Sequence, residues 1–344
     1  MDQAENIAVA ERPYAQEWRQ PPTVIIGAGP VGQRLAEELR RHEAEREIVM
    51  FGDEPWAPYD RVQLSSWLAG EAPEDGTLHD DTHMRVHLGV SITRIDRENQ
   101  EVIDGSGFAC PYQTLILATG SRARIPPVSG VKLPGVFTFR NLSDAQSLMA
   151  RSVRSRHMVV IGGGLLGLET ARALHRFNTR VTIIEQSARL MFHQLDGDCA
   201  EQLQRHVSEL GIDIITNARV KRIPGETRMD GVLLADGRFI ECDTVVMAVG
   251  ITPNIQLAQD GGLNTGRGIL VDDRMQTSDA NIYAVGECAE HRQTLYGLVA
   301  PGFEQAAVAA HAITGHAARY TGSMTATRLK VIGFPVMSVC LLYT

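Results

Sequence analysis

Two glycine triads carry the first chemical signal in this chain: Gly27, Gly29 and Gly32 in VIIGAGPVGQRLAEEL (24–39), and Gly162, Gly164 and Gly167 in VVIGGGLLGLETARAL (159–174). In each, an apolar run enters the first glycine, and apolar residues at helical spacing leave the third. The first glycine of such a triad allows a tight turn, the second lets backbone approach a diphosphate, and the third lets the helix pack close to the strand. The helix N-terminus supplies unpaired N–H groups and a partial positive charge, which suit a diphosphate. An acid closes the next apolar run after each triad: Asp53 in EIVMFGDEP, 21 residues past Gly32, and Glu185 in RVTIIEQ, 18 past Gly167. A carboxylate there accepts hydrogen bonds from ribose hydroxyls. The pattern predicts two dinucleotide sites in one chain.

Both triads need a strand, a turn and a helix in that order, so the fold class expected is α/β. The triads begin 135 residues apart, roughly one α/β domain. Between and beyond them lie three further strand-to-turn segments. YQTLILATGSRARIPP (112–127) reads as a buried strand, a small-residue turn and a proline-rich loop. DTVVMAVGITPN (243–254) reads as a strand ending at Gly250 before a proline turn. In TSDANIYAVGECAE (277–290) the strand IYAV runs into Gly286 and Glu287.

Composition narrows the function classes. The 344 residues are 44% hydrophobic, ample for globular cores, and the length suits about two domains. A net charge of −8 offers no basic field for nucleic acid or an anionic membrane surface. Residues 1–22 lack the apolar run of a signal peptide and read as an extension, and no window reaches the length of a membrane span. The five cysteines, Cys110, Cys199, Cys242, Cys288 and Cys340, form no C-x-x-C pair and no zinc spacing, which fits unreactive thiols in a cytoplasmic protein. The eleven histidines form no ligand pattern either, so no metal site is expected.

The two triads, the ATG turn and the late GE turn, in this order across about residues 22–330, resemble the two-dinucleotide-binding-domain flavoproteins of the FAD-dependent pyridine nucleotide-disulfide oxidoreductase superfamily. The resemblance implies two Rossmann-like domains, with the NAD domain inserted in a discontinuous FAD domain. The expected boundaries are 1–22 for the extension, 23–140 and 268–330 for the FAD-binding domain, and 141–267 for the NAD(P)H-binding domain. Residues 331–344 would be the truncated start of a C-terminal interface domain, a strand without its partners that favours a homo-oligomer. Gly27, Gly29, Pro30 and Gly32 would face the FAD pyrophosphate, with Asp53 and Glu54 at the adenosine ribose. Arg61 and Arg140 match arginines near the FAD phosphates; Thr119 and Gly120 match the turn against the flavin, and Glu287 the acid that holds the ribityl hydroxyls. For the second nucleotide, Gly162, Gly164, Leu165, Leu166 and Gly167 would cradle the pyrophosphate, Glu185 would take the ribose, and Gly250 would line the pocket. Glu169 resembles a glutamate near the junction of nicotinamide and flavin and is the one catalytic candidate.

Disulfide reductases of this superfamily place redox cysteines after the first acidic strand, where RVQLSSWLAG (61–70) has none. Electrons would therefore leave directly from the flavin. The blocks PYDRVQLSS, GGGLLGLE, RLMFHQLD and LYGLVAPGFEQA look closest to the flavoprotein module of NAD(P)H-dependent nitrite reductase large subunits, with rubredoxin and ferredoxin reductases next. Many of the latter have lysine at the position of Ser66. The function implied is transfer of hydride from NADH, with NADPH disfavoured by Glu185, to FAD, and of electrons onward to a small redox acceptor protein or an iron–sulfur or sirohaem reductase. Two alternatives are a nucleotide-responsive flavoprotein with a binding or regulatory role and an NADH oxidase.

Overall fold

The computed structural model describes residues 20–70, 84–175, 179–329 and 336–340. The extension expected at 1–22 lies almost wholly outside the described residues. Two five-stranded parallel sheets organise the chain, and they repeat one another.

The first sheet runs Ile282–Ala284, Thr114–Leu117, Thr23–Ile26, Ile48–Gly52, Met84–Leu88. The second runs Val136–Thr138, Thr244–Met247, His157–Ile161, Arg180–Ile184, Asp213–Ile215. In both, the glycine-loop strand is central and the ladder extends from it in the same order. Each half also sends out a three-stranded antiparallel meander before its fourth strand, at Ile92–Pro111 and at Val220–Glu241. The central strands read TVII, IVMFG, HMVVI and TVVM, near-continuous apolar runs expected of strands covered on both faces.

The edge strand beside the fourth strand comes from different places in the two halves. In the first sheet it is Ile282–Ala284, which follows the second half in sequence, so the first half is discontinuous. In the second sheet it is Val136–Thr138. That pairing corrects the expected boundary at residue 140, because Val136–Thr138 hydrogen-bonds to Val245–Met247 rather than to the first half. The boundary at 267 shifts as well: Ala258 and Leu263 are buried in one core with Val24, Leu115 and Ile282. Strand pairing and core packing therefore bound the inserted half at about residues 124 and 250. The chain enters and leaves it through two strands, Ser121–Ala123 and Ile251–Pro253, that pair antiparallel with each other.

The tail also differs from expectation. Val336–Cys340 is not left without a partner, since it pairs antiparallel with Thr325–Leu329. Ser338 Oγ further donates to the carbonyl of Gln194 at 2.6 Å, which ties this ribbon to the inserted half. The expected cut at 331 falls between these two strands, and residues 330–335 and 341–344 lie outside the described residues.

Candidate dinucleotide sites and their junction

The two glycine loops are built alike, atom for atom where it matters. Gly27 (φ +120) and Gly162 (φ +117) take conformations that L side chains rarely adopt. A methyl group on Gly27 would stand 2.1 Å from the carbonyl oxygen of Ala118, and one on Gly162 would stand 2.3 Å from that of Ala248. The third glycines are as tightly held: a methyl on Gly32 would stand 2.1 Å from the carbonyl oxygen of Gly27, and one on Gly167 would stand 1.9 Å from that of Gly162. The second glycines face open space: a methyl on Gly29 would meet only Arg61 Nε, at 3.8 Å, and one on Gly164 meets nothing within 4 Å. Gly29 and Gly164 are also the N-caps of helices Pro30–His42 and Leu165–Leu174, and neither helix has a side-chain cap. Uncapped first-turn N–H groups beside open space are what a diphosphate requires, so the residues present fit a dinucleotide at each loop.

The acids behave differently in the two loops, and strand register explains why. Gly27 donates to the carbonyl of Phe51 and Gly162 to that of Ile184, so the position directly after this contact is Gly52 in the first half and Glu185 in the second. Glu185 accepts from the backbone N–H of Gly163 and of Ser187, each at 2.6 Å. It is thereby fixed against the glycine loop with lone pairs to spare for a ribose. In the first half the acids come one and two residues later. Asp53 is exposed, whereas Glu54 is committed to an ion pair with Arg61 and accepts from Tyr59 Oη at 2.7 Å. The ribose role expected for Glu54 is therefore not supported by its contacts; it holds Arg61 beside Gly29. Leu165 and Leu166 open the second helix, and Leu166 is partly exposed there.

At the other end of the first site, Glu287 collects Arg140, in an ion pair, and Ser121, whose hydroxyl donates at 2.8 Å. Arg140 Nε also donates to the carbonyl of Ser121, and Arg61 to the carbonyl of Arg140. Gly120 (φ +61) lies against this carboxylate, its missing methyl 3.9 Å from Glu287 Oε2. Thr119 and Asn254 clasp each other, the Thr119 hydroxyl donating to the Asn254 carbonyl at 2.8 Å and the Asn254 amide returning to the Thr119 carbonyl at 2.9 Å. Gly120 and its repeat counterpart Gly250 (φ +99) precede the two paired strands that join the halves.

Glu169 sits where the halves meet. It is 6% exposed and accepts from Ser65 Oγ at 2.7 Å. Ser65 lies on helix Leu64–Leu68, whose Leu64 and Leu68 are buried in the core of the inserted half with Leu168 and Phe139. Tyr59 makes a second bridge, accepting from the Leu142 N–H, and burial pushes its phenol pKa up. Sequence reasoning missed Ser65, Tyr59, Ser121 and Asn254. Only Asn254 had a signal, as a polar residue directly after the GITP turn.

No group of three His, Cys, Asp or Glu among the described residues could hold a metal ion, and no helix there is long and apolar enough to cross a membrane. Cys110, Cys199, Cys242 and Cys288 are free thiols. Cys110 and Cys242 are buried, which pushes both thiols up to about 12, while Cys199 is exposed and is raised by its hydrogen bond to Asp196. In native protein Cys199 should be the one of these four that a thiol reagent such as DTNB labels, faster as pH rises. Peptide mapping that finds Cys110 or Cys242 labelled as fast would contradict this burial.

Against known proteins, the pattern called Pyridine nucleotide-disulphide oxidoreductase matches residues 21–312. The chain belongs to that family. Membership implies binding of FAD and NAD(P)H. It is 41% identical to nitrite reductase [NAD(P)H] of Bacillus subtilis over 92% of this chain and 40% of that protein. It is 42% identical to the assimilatory nitrate reductase electron transfer subunit of the same organism, over 92% of this chain and 42% of the relative. The chain thus spans about two fifths of the length of these relatives. Among solved structures, the covalent putidaredoxin reductase–putidaredoxin complex matches with a TM-score of 0.86 at 30% identity, over 94% of this chain and 82% of that one. The resemblance to nitrite reductases and ferredoxin-type reductases expected from sequence agrees with these relatives.

Proposed function

We propose that this chain is an electron-entry module that takes hydride from NADH and delivers electrons to a separate acceptor protein. The observation that carries the reading is the duplicated loop: two uncapped helix N-termini, each with its second glycine open, in halves that meet at Glu169 and Ser65. Gly29, Pro30 and Gly32 with Arg61 would hold the FAD pyrophosphate, Asp53 the adenosine ribose, and Thr119, Gly120, Arg140 and Glu287 the flavin end. Gly162, Gly164, Leu165, Leu166 and Gly167 would hold the nicotinamide nucleotide, with Glu185 on its ribose and Gly250 at the pocket edge. Bound FAD would supply the redox chemistry, accepting hydride and releasing electrons, so the protein's task is to bind, orient and exclude water. Glu169, tied to Ser65, positions the two halves across the junction.

Likeness to an electron transfer subunit and to a reductase captured with its partner supports a protein acceptor. The domain assignment follows the same reading: an FAD domain of about 20–123 and 251–329 around an NAD domain of about 124–250. A cytoplasmic location fits the use of NADH and unpaired thiols. Purified protein should be yellow, with one FAD per chain, and should reduce ferricyanide through many turnovers with NADH. Bound FMN would overturn the cofactor assignment. A single flavin reduction followed by slow reoxidation would favour the nucleotide-responsive alternative.

A further inference from the structure

Helix Val299–Ile313 packs against helix Pro30–His42, which follows the first glycine loop, and against the turn Gly286–Cys288. The fit leaves no slack: a methyl on Gly302 would stand 2.6 Å from Val31 Cγ2 and 3.4 Å from Gly286 Cα. One turn further along the helix, Gln305 is fully buried, and its Oε1 accepts the backbone N–H of Gly286 at 2.7 Å. Gly286 has φ +82, the left-handed region, and it opens the turn that carries Glu287. The sequence gives Gln305 no role beyond its place in the block LYGLVAPGFEQA, where alanines follow it.

We propose that Gln305 is a positioning residue for the flavin end of the first site. By accepting the Gly286 amide it fixes the left-handed turn, and the turn in turn aims the Glu287 carboxylate at Arg140, Ser121 and Gly120. A buried amide that loses its acceptor must find another by moving, and the residue beside it moves with it. The inference rests on the FAD reading above.

The test measures FAD affinity of the apoprotein by flavin fluorescence for Gln305→Met, which keeps the shape without the acceptor, and Gln305→Glu, which keeps the acceptor. Gln305→Met should weaken FAD about tenfold or more, and Gln305→Glu should stay within about threefold of wild type. A structural role alone would add to any other lesion; a role through Glu287 should largely vanish in a Glu287→Gln background, leaving about threefold or less. Gln305→Leu serves the same comparison if the methionine variant does not fold. The proposal falls if the methionine or leucine variant binds within about twofold of wild type, if the glutamate variant is as weak as they are, or if the full effect persists without Glu287. Wild-type protein that takes up no FAD would bring down the FAD reading together with this inference, whereas normal uptake with an unchanged Gln305→Met brings down this inference alone.

Discussion

Gly29→Val is expected to give a folded but colourless protein. Gly29 has φ −78 and ψ 179, backbone open to any residue, and a methyl there meets only Arg61 Nε at 3.8 Å. Folding should therefore tolerate the valine. Its two γ-methyl groups, however, fill the space over the first-turn N–H groups where a diphosphate must sit. Losing two hydrogen bonds to a charged group costs about 3–6 kcal/mol, roughly a hundredfold to ten-thousandfold in FAD affinity. Gly27→Ala makes the contrast. Its methyl would collide with the Ala118 carbonyl at 2.1 Å in a left-handed conformation, so the fold itself should suffer. Circular dichroism and visible flavin absorption separate the two outcomes. Flavin retained in folded Gly29→Val would remove the first loop from FAD binding.

Glu185→Ala is expected to reverse much of a preference for NADH over NADPH. A 2′-phosphate would meet this carboxylate, which backbone N–H groups of Gly163 and Ser187 hold in place. At about 4 Å the repulsion per unit charge is roughly 1 kcal/mol in water and roughly 4 kcal/mol at an effective dielectric near 20. That is a discrimination of about fivefold to nearly a thousandfold. Arg189 offers no rescue in the present geometry: it donates to the Leu195 carbonyl and stacks over Phe192 at 4.4 Å. The alanine should also lower kcat/KM for NADH, because the Gly163 amide loses its acceptor. Steady-state rates with both nucleotides decide the matter. Equal kcat/KM in wild type, or no relative gain for NADPH in the variant, would sink the role of Glu185.

What the sequence disclosed was what is local. A glycine triad, the apolar run before it and the acid after it lie within a few turns of chain, and each is dictated by backbone geometry at that spot. The duplicate fold, the second-glycine openings and the seat of Glu185 were legible for that reason. Residues joined across the fold were not. Ser65 finds Glu169 from 104 positions away, and Arg140 finds Glu287 from 147. No periodicity encodes such pairs. Counting residues also misled in one place: Asp53 and Glu185 both follow apolar runs, but register aligns Glu185 with Gly52, so the two acids do not occupy equivalent positions. The boundaries at 140 and 267 failed because edge strands and small helices change partner without a change in composition.

The paired strands Ser121–Ala123 and Ile251–Pro253 make the inserted half an excursion whose exit and return lie side by side. Adjacent strands stand about 5 Å apart, a gap that a two-residue turn can close. Deleting the insert and joining these strands as a hairpin should thus leave a miniature in which every strand of the first sheet is still present, although Arg140, the partner of Glu287, would go with the insert. Leu64 and Leu68, now seated in the core of the insert, would be bared to water and would have to become polar. The architecture is that of a socket: another cargo domain with neighbouring ends could be spliced between Ala123 and Ile251 and brought under the command of the same flavin.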